Sequence, residues 1–358
     1  MNAKLCLCVV LTFYLAELGV AKAQGFAGLG TKAEGFALPT PGGRFDFPKD
    51  HGPHPDFRIE WWYVTANLKG SDGIDYGAQW TLFRSAAAPG DKSGWSSPQV
   101  WMGNAAVTTP DRQFSAERLA RGGVGQAGVN ASPFSAWIDE WNLAARKPTL
   151  GGDELSHLMM SATGPDFWYR FDLDASGPIV PQGDNGFSVK SADGQASYYY
   201  SQPFYSVSGA LHLPGKEVAV TGKAWLDREW SSQPLAANQI GWDWFSLHFD
   251  SGEKLMGFRL RDSVGGGFTS GTWISAQGKP TTIPPNQLRL TPGATASVAG
   301  RNVPVRWRLE LPERGVDVSV FAMNDQAWVA GQFPYWEGPV RATGSFNGLG
   351  YLEMTGYR

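Results

Sequence analysis

EWWYVTANLKGSDGIDYGAQWTLFR, residues 60–84, alternates large apolar with small or polar residues, turns through Ser71-Asp72-Gly73, then alternates again up to Arg84. That is the pattern of a two-stranded antiparallel hairpin. GWDWFSLHFDSGEKLMGFRLR, residues 241–261, follows the same plan. Trp61 matches Trp242, Tyr63 matches Trp244, Thr65 matches Ser246, Asn67 matches His248 and Leu68 matches Phe249. An offset near half the chain length predicts two similar β-domains descended from a duplication.

The rest of the 358-residue chain agrees: 45 Gly, 24 Pro and 16 Trp with only 18% charged residues favour many strands, tight turns and aromatic cores. DFWYRFDLDASG (166–177) and VRWRLELPERGVDVSVFAM (305–323) alternate at period two, and ASYYYSQPFYSVSGALHL (196–213) reads as extended chain with aromatic faces. SAERLARGG (115–123) is the best candidate for a short helical turn, and SAWIDEWNL (135–143) reads as a structural strand. The predicted fold is mainly β, two consecutive antiparallel barrels of roughly eight to ten strands, whose closure leaves room for one apolar ligand. Gln202-Pro203 interrupts the pattern, so the boundaries are placed at 24–205 and 206–358.

Residues 1–23 read as a secretory signal: Lys4, an apolar run from Leu5 to Ala16, and Ala21-Lys22-Ala23 as the cleavage site. The run is too short to span a bilayer. The expected location is periplasmic or secreted. Cys6 and Cys8 leave with the signal, which removes disulfide and thiol chemistry from the mature chain. Loss of Lys4, Lys22 and Glu17 leaves 28 basic and 32 acidic residues, a net −4 without a basic tract, so nucleic acid is not an expected partner.

Chemistry concentrates in GKAWLDREWSS, residues 222–232. On a strand, Trp225, Asp227 and Glu229 share one face, while Val218, Val220, Leu226, Arg228 and Trp230 share the other. The two acids then lie about 6.6 Å apart along the strand, where burial would keep one protonated. The alternative is a solvated face carrying Lys223, Asp227 and Glu229. Gly222 is a candidate bulge, and Arg228 a structural partner for Glu60 or another acid. His51 and His54 lack an obvious third ligand and suit a loop better than a metal. No metal or cofactor is expected.

FPKDHGPHPDFRIEWWYVTANL, YGAQWTLFR, ERLARGGVGQAG, YYYSQPFYSVSGALHL, GKAWLDREWSSQPL, GWDWFSLHFDSGEKLMGFRLRD, YWEGPV and GLGYLEMTGY together resemble the secreted lipocalin-like family labelled AttH-like, related to bacterial carotenoid 1,2-hydratases. The resemblance runs from Phe45 to Tyr357 and implies two lipocalin-like barrels with a ligand cavity near their junction. Where those hydratases often carry His between the Asp and Glu of the Trp motif, this chain has Arg228. Hydratase chemistry would make Asp227 the proton donor to an alkene of a polyene or isoprenoid, and Glu229, or Glu60 from the other domain, the base that orients water. Trp225, Trp230, Trp242 and Trp244 would shield the cation, with Trp61, Tyr63, Gln79 and Tyr200 completing the ligand wall. The competing reading is a non-catalytic carrier of a lipid or other apolar molecule, working with a transporter component. A glycoside hydrolase is disfavoured, because two acids on one strand do not straddle a sugar.

Overall fold

The computed structural model describes residues 33–146 and 153–357; the expected signal at 1–23 lies outside the described residues. The chain is nearly all β. The first sheet holds β1 (Ile59–Gly70), β2 (Asp75–Ala86), β3 (Gln99–Thr108), β4 (Gln113–Arg121), β5 (Ala127–Ala131), β6 (Phe134–Ile138), β7 (Trp141–Ala145), β8 (His157–Gly164), β9 (Phe167–Ala175), β10 (Val180–Pro181), β11 (Phe187–Val189), β12 (Ala196–Leu213) and β13 (Lys216–Ser231). Its order is β4-β3-β2-β1-β13-β12-β9-β8-β7-β6-β5, with β10 and β11 against β12. The second sheet holds β14 (Gln239–Phe249), β15 (Lys254–Asp262), β16 (Gly267–Ile274), β17 (Pro280–Ile283) and β18 (Arg289–Pro292); a separate hairpin, β19 (Thr295–Val298) and β20 (Arg301–Pro304), follows. β21 (Arg306–Leu311), β22 (Val316–Ala322), β23 (Trp328–Val329), β24 (Tyr335–Gly344) and β25 (Gly348–Met354) complete the second sheet. One sheet is a nearly closed barrel and the other a half-barrel, whose core also takes Val298 and Val303 from the separate hairpin.

The repeat sits in corresponding places. β1 lies between β2 and β13, and β14 lies between β15 and β25. Of the matched residues, Tyr63, Asn67, Trp244 and His248 reach the opposite barrel, whereas Leu68 and Phe249 pack in the cores of their own barrels. Asn67 donates to the Gly350 carbonyl at 2.9 Å, and His248 to the Pro203 carbonyl at 2.9 Å. Tyr63 donates to Glu337, and the Tyr63 and Trp244 rings meet edge to face at 5.4 Å. Selection for one interface acting on two related strands explains why the resemblance concentrates at every second residue.

Five expectations change. β12 and β13 both belong to the first sheet, so the predicted division at 205/206 cuts through β12; the sheets change over between Ser231 and Gln239. Pro203 does not end its strand, because a bulge between Gln202 and Tyr205 absorbs it. The segment 115–123 falls largely within β4: pairing with β3 overrides the helical propensity of Ala-Glu-Arg-Leu-Ala. SAWIDEWNL is a hairpin, β6 and β7, turning at Asp139, which takes the left-handed conformation (φ 49°) that aspartate tolerates. Finally, Gly222 pairs in unbroken register with Leu68; a Cβ there would stand 2.0 Å from the Asn67 carbonyl oxygen, so close approach of backbone, not a bulge, requires glycine.

The interior of the first barrel is filled by side chains. Trp62, Trp80, Trp141, Tyr169, Leu226 and Trp230 pack the inside of the first barrel. A second layer, including Tyr63, Tyr199, Trp225, Trp244, Phe258 and Tyr351, packs between the barrels. Gly77 lies in this seam, where an added Cβ would meet the Tyr351 hydroxyl at 2.6 Å and Pro339 at 2.7 Å. Gly77→Val is expected to destabilise the protein by about 1–3 kcal/mol through overpacking, measured by urea unfolding; unchanged stability would show that the seam yields freely.

Candidate functional site

Alternation along β13 splits the Trp-bracketed motif between two buried environments. Trp225, Asp227 and Glu229 face the second barrel, and Arg228 and Trp230 face the interior of the first. Across the sheet the register builds two rungs. Met102, Phe83, Trp61, Glu229 and Tyr199 form one; Asn104, Thr81, Tyr63, Asp227 and Ser201 form the next. Except for Ser201, these residues make one wall of a cavity of about 240 Å³ at the barrel junction. Trp242, Trp244, Phe258, Tyr335 and Glu353 come from the opposite barrel.

Asp227 is the buried acid of this wall. Tyr199 donates to its Oδ2 at 2.8 Å, Trp225 Nε1 donates to Oδ1 at 2.7 Å, and Ser201 also donates to Oδ1. Trp244 Nε1 donates in turn to the Tyr199 hydroxyl at 3.1 Å. Burial outweighs these three donors and, with Glu229 nearby, pushes the carboxyl up to about 7. Glu229 is partly exposed and ion-paired with Lys190 Nζ at 2.9 Å; that ammonium lies over the Tyr199 ring (4.8 Å) and the Phe258 ring (4.5 Å).

A second acid was missed by the sequence reading. Tyr63 stands opposite Asp227 in the sheet, and its repeat partner Trp244 stands opposite Glu353, so the two acids occupy corresponding places in the two barrels. Glu353 accepts from Trp242 Nε1, and burial, reinforced by Asp227 and Glu229, pushes it up to about 7. Behind the cavity Glu337 is likewise raised by burial and by Glu353, and accepts from Tyr63. Both Glu337 and Glu353 lie in blocks that carried the family resemblance, YWEGPV and GLGYLEMTGY; extending the repeat through strand pairing would have found Glu353.

The structure brings Asp227, Glu229, Trp61, Tyr63, Trp242 and Trp244 together on the cavity. Trp225 sits one rung below, acting through its hydrogen bond to Asp227. Gln79 is buried beside it on the seam, donating to Thr81 rather than lining the cavity. Tyr200 points the other way, to His51 Nδ1 at 2.7 Å, and Trp230 stacks on His54 with ring centres 4.0 Å apart. Of these two neighbours, Tyr199 lines the cavity and Tyr200 does not.

Glu60 is the clearest correction. It lies in the same sheet as Asp227 and faces away from the cavity. Its oxygens pair with Arg228 Nη2 at 2.7 Å and Arg84 Nε at 2.8 Å, and His54 Nδ1 lies 2.6 Å away. The Arg228 guanidinium also stacks on Trp62 at 3.9 Å. Charge locked between two buried guanidinium groups suits structure, not base catalysis.

Fold and site thus define a two-barrel β-protein with an aromatic cavity at the junction and a buried carboxyl on either wall. The chain belongs to the AttH-like family, whose model matches residues 38–357. It is similar to the AttH-type protein of Nitrosomonas europaea, with 33% identity over 90% of this chain and all of that one, and a TM-score of 0.79. It also shares its fold with kievitone hydratase from Nectria haematococca: 16% identity, TM-score 0.66, covering 91% of this chain and 98% of that one. No curated protein gives a significant sequence match. Among the described residues no helix is long and apolar enough to cross a membrane.

Proposed function

We propose that this protein is an exported hydratase that adds water to an alkene of an apolar isoprenoid-type molecule. The observation that carries the reading is Asp227: a carboxyl raised to about 7 by burial, held in an aromatic cavity. Asp227 donates its proton to one alkene carbon; the π pair forms the new C–H bond and leaves a tertiary cation on the neighbouring carbon. Trp61, Tyr63, Trp242 and Trp244 surround that position, each able to stabilise a desolvated cation by up to about 2 kcal/mol. Water adds to the cation and gives its proton to the Glu353 carboxylate. With both acids near 7, a pair holding one proton is well populated at neutral pH, the division of labour that acid–base catalysis needs. The family membership and the likeness in fold to a hydratase support this reading.

The cavity is smaller than the 300–1,000 Å³ typical of sites that enclose a drug-sized ligand. A carotenoid would therefore insert only its terminal unit. Incubating the mature protein with prenyl alkenes and acyclic carotenoids in heavy-oxygen water, followed by mass spectrometry, tests the proposal. A product heavier by one labelled water is expected. Unchanged lipid retained by the protein would instead support the carrier reading, in which the same aromatic lining holds an isoprenoid or lipid for a transporter component.

The pH dependence follows from burial. Catalysis needs Asp227 protonated and Glu353 ionised, so turnover is expected to peak near pH 7 and to fall on either side of it. Glu353→Gln removes the proton acceptor and should lower turnover by about 10²-fold, with prenyl binding retained, as read by steady-state kinetics and calorimetry.

A further inference from the structure

A second cleft opens at the other end of the seam. Along β13 the face that carries Asp227 and Trp225 continues to Lys223, whose sheet neighbours are Asn67 on β1 and Ser206 on β12. Opposite it the second barrel presents the rung Lys254, His248, Leu349, Arg341 and Phe321. Asn67, Lys223, His248, Leu349, Arg341 and Phe321 are among the residues around a cleft of about 590 Å³, within the range of sites that enclose a small molecule. Trp225 stands between Lys223 and Asp227 on the strand, bonded to Asp227 and edge to face with His248 at 5.5 Å, and the two clefts share no lining residue.

Two features set the chemistry of this cleft. Phe321 and Leu349 are each 40% exposed, so bulky apolar side chains face its open space. Its charge is also unbalanced. Lys69, Lys223 and Arg341 line it with a single carboxylate, Asp75, which already meets Lys69 at 2.9 Å and Arg341 at 3.7 Å. Lys223 makes no ion pair among the described residues. Neither does Lys254 behind it, which is 7% exposed, donates to the Gly252 carbonyl at 2.9 Å and lies 3.8 Å over the Phe204 ring. Burial, with the repulsion of Lys223, lowers Lys254 to about 8. We infer that this cleft is a second ligand site, which binds an aliphatic carboxylate with its chain against Phe321 and Leu349 and its charge on Lys223. The unpaired group is a single ammonium, and the one guanidinium in the cleft already shares Asp75, so a monoanion matches it better than a phosphate seeking a free fork. The site stands independently of the hydratase reading.

The test compares laurate with dodecyltrimethylammonium, alike in chain length and opposite in charge, by calorimetry below their micellar concentrations. Laurate is expected to bind the wild-type protein about tenfold more tightly, with the difference shrinking as salt is added. Lys223→Gln, at an exposed strand position, should weaken laurate about fivefold without weakening the cation. Leu349→Ser should weaken both probes, because it removes apolar contact common to the two chains. Equal affinity of the probes for the wild type, which requires no variant to fold, would overturn the site. So would an unchanged laurate affinity in folded Lys223→Gln, which would place the acid elsewhere on the protein. Neither result touches labelled-water incorporation at Asp227, so the two proposals fail separately.

Discussion

Asp227→Asn is expected to lower labelled-water incorporation by about 10²- to 10⁴-fold while changing prenyl affinity by no more than a few-fold. Asparagine keeps the size of the side chain. Its oxygen still accepts from Trp225 and Ser201, and the Tyr199 hydroxyl can rotate to accept from the new amide. What disappears is the transferable proton. The same substitution has a thermodynamic signature. Because the folded Asp227 carboxyl titrates at about 7, the native state holds a proton that the unfolded chain releases near pH 4. Its contribution to stability is full below the unfolded value and is lost as pH rises towards the folded one. Stability of the wild type relative to Asp227→Asn should therefore decline between pH 4 and 7, as measured by urea unfolding. A flat difference together with unimpaired turnover would remove Asp227 from the mechanism.

Glu60→Gln should cost about 3–5 kcal/mol, because it strands the Arg84 and Arg228 guanidinium groups inside the first barrel. Burial alone would raise this carboxyl, but Arg228, Arg84 and His54 outweigh it and hold Glu60 well below the usual carboxylate range. Its contribution has the opposite sign to that of Asp227: it is present above the unfolded value and lost as pH falls below about 4. The variant should therefore lose most stability at neutral pH and approach the wild type in acid. Prenyl binding to the folded fraction should persist, since the carboxyl faces away from the cavity. Normal stability with abolished turnover would instead restore Glu60 as a base.

The motif at 222–232 shows how these two acids were legible and how they were confused. Strand alternation alone separated Trp225, Asp227 and Glu229 from Arg228 and Trp230, and it offered Glu60 as a partner for Arg228. It could not show that both faces of β13 are buried from Ala224 onward, one in a barrel core and one against a second barrel. Period two marks faces, whereas burial depends on what packs against them. The bulge at Gln202–Tyr205 shifts the phase within β12, and pairing with Glu229 is what places Tyr199 on the cavity and turns Tyr200 away from it.

By itself the sequence determined the β class, the duplicated hairpin, the aromatic acid motif and the family, because these depend on local periodicity and on residues close together in the chain. Tertiary structure alone decided that β12 and β13 belong to the first sheet, and that Glu353 and Asn104 join Asp227 on the junction cavity that the resemblance implied. Those facts rest on pairing between strands more than a hundred residues apart, as when Tyr63 meets Asp227. Such pairing is selected by the combined burial of whole faces, which no single stretch of the chain encodes.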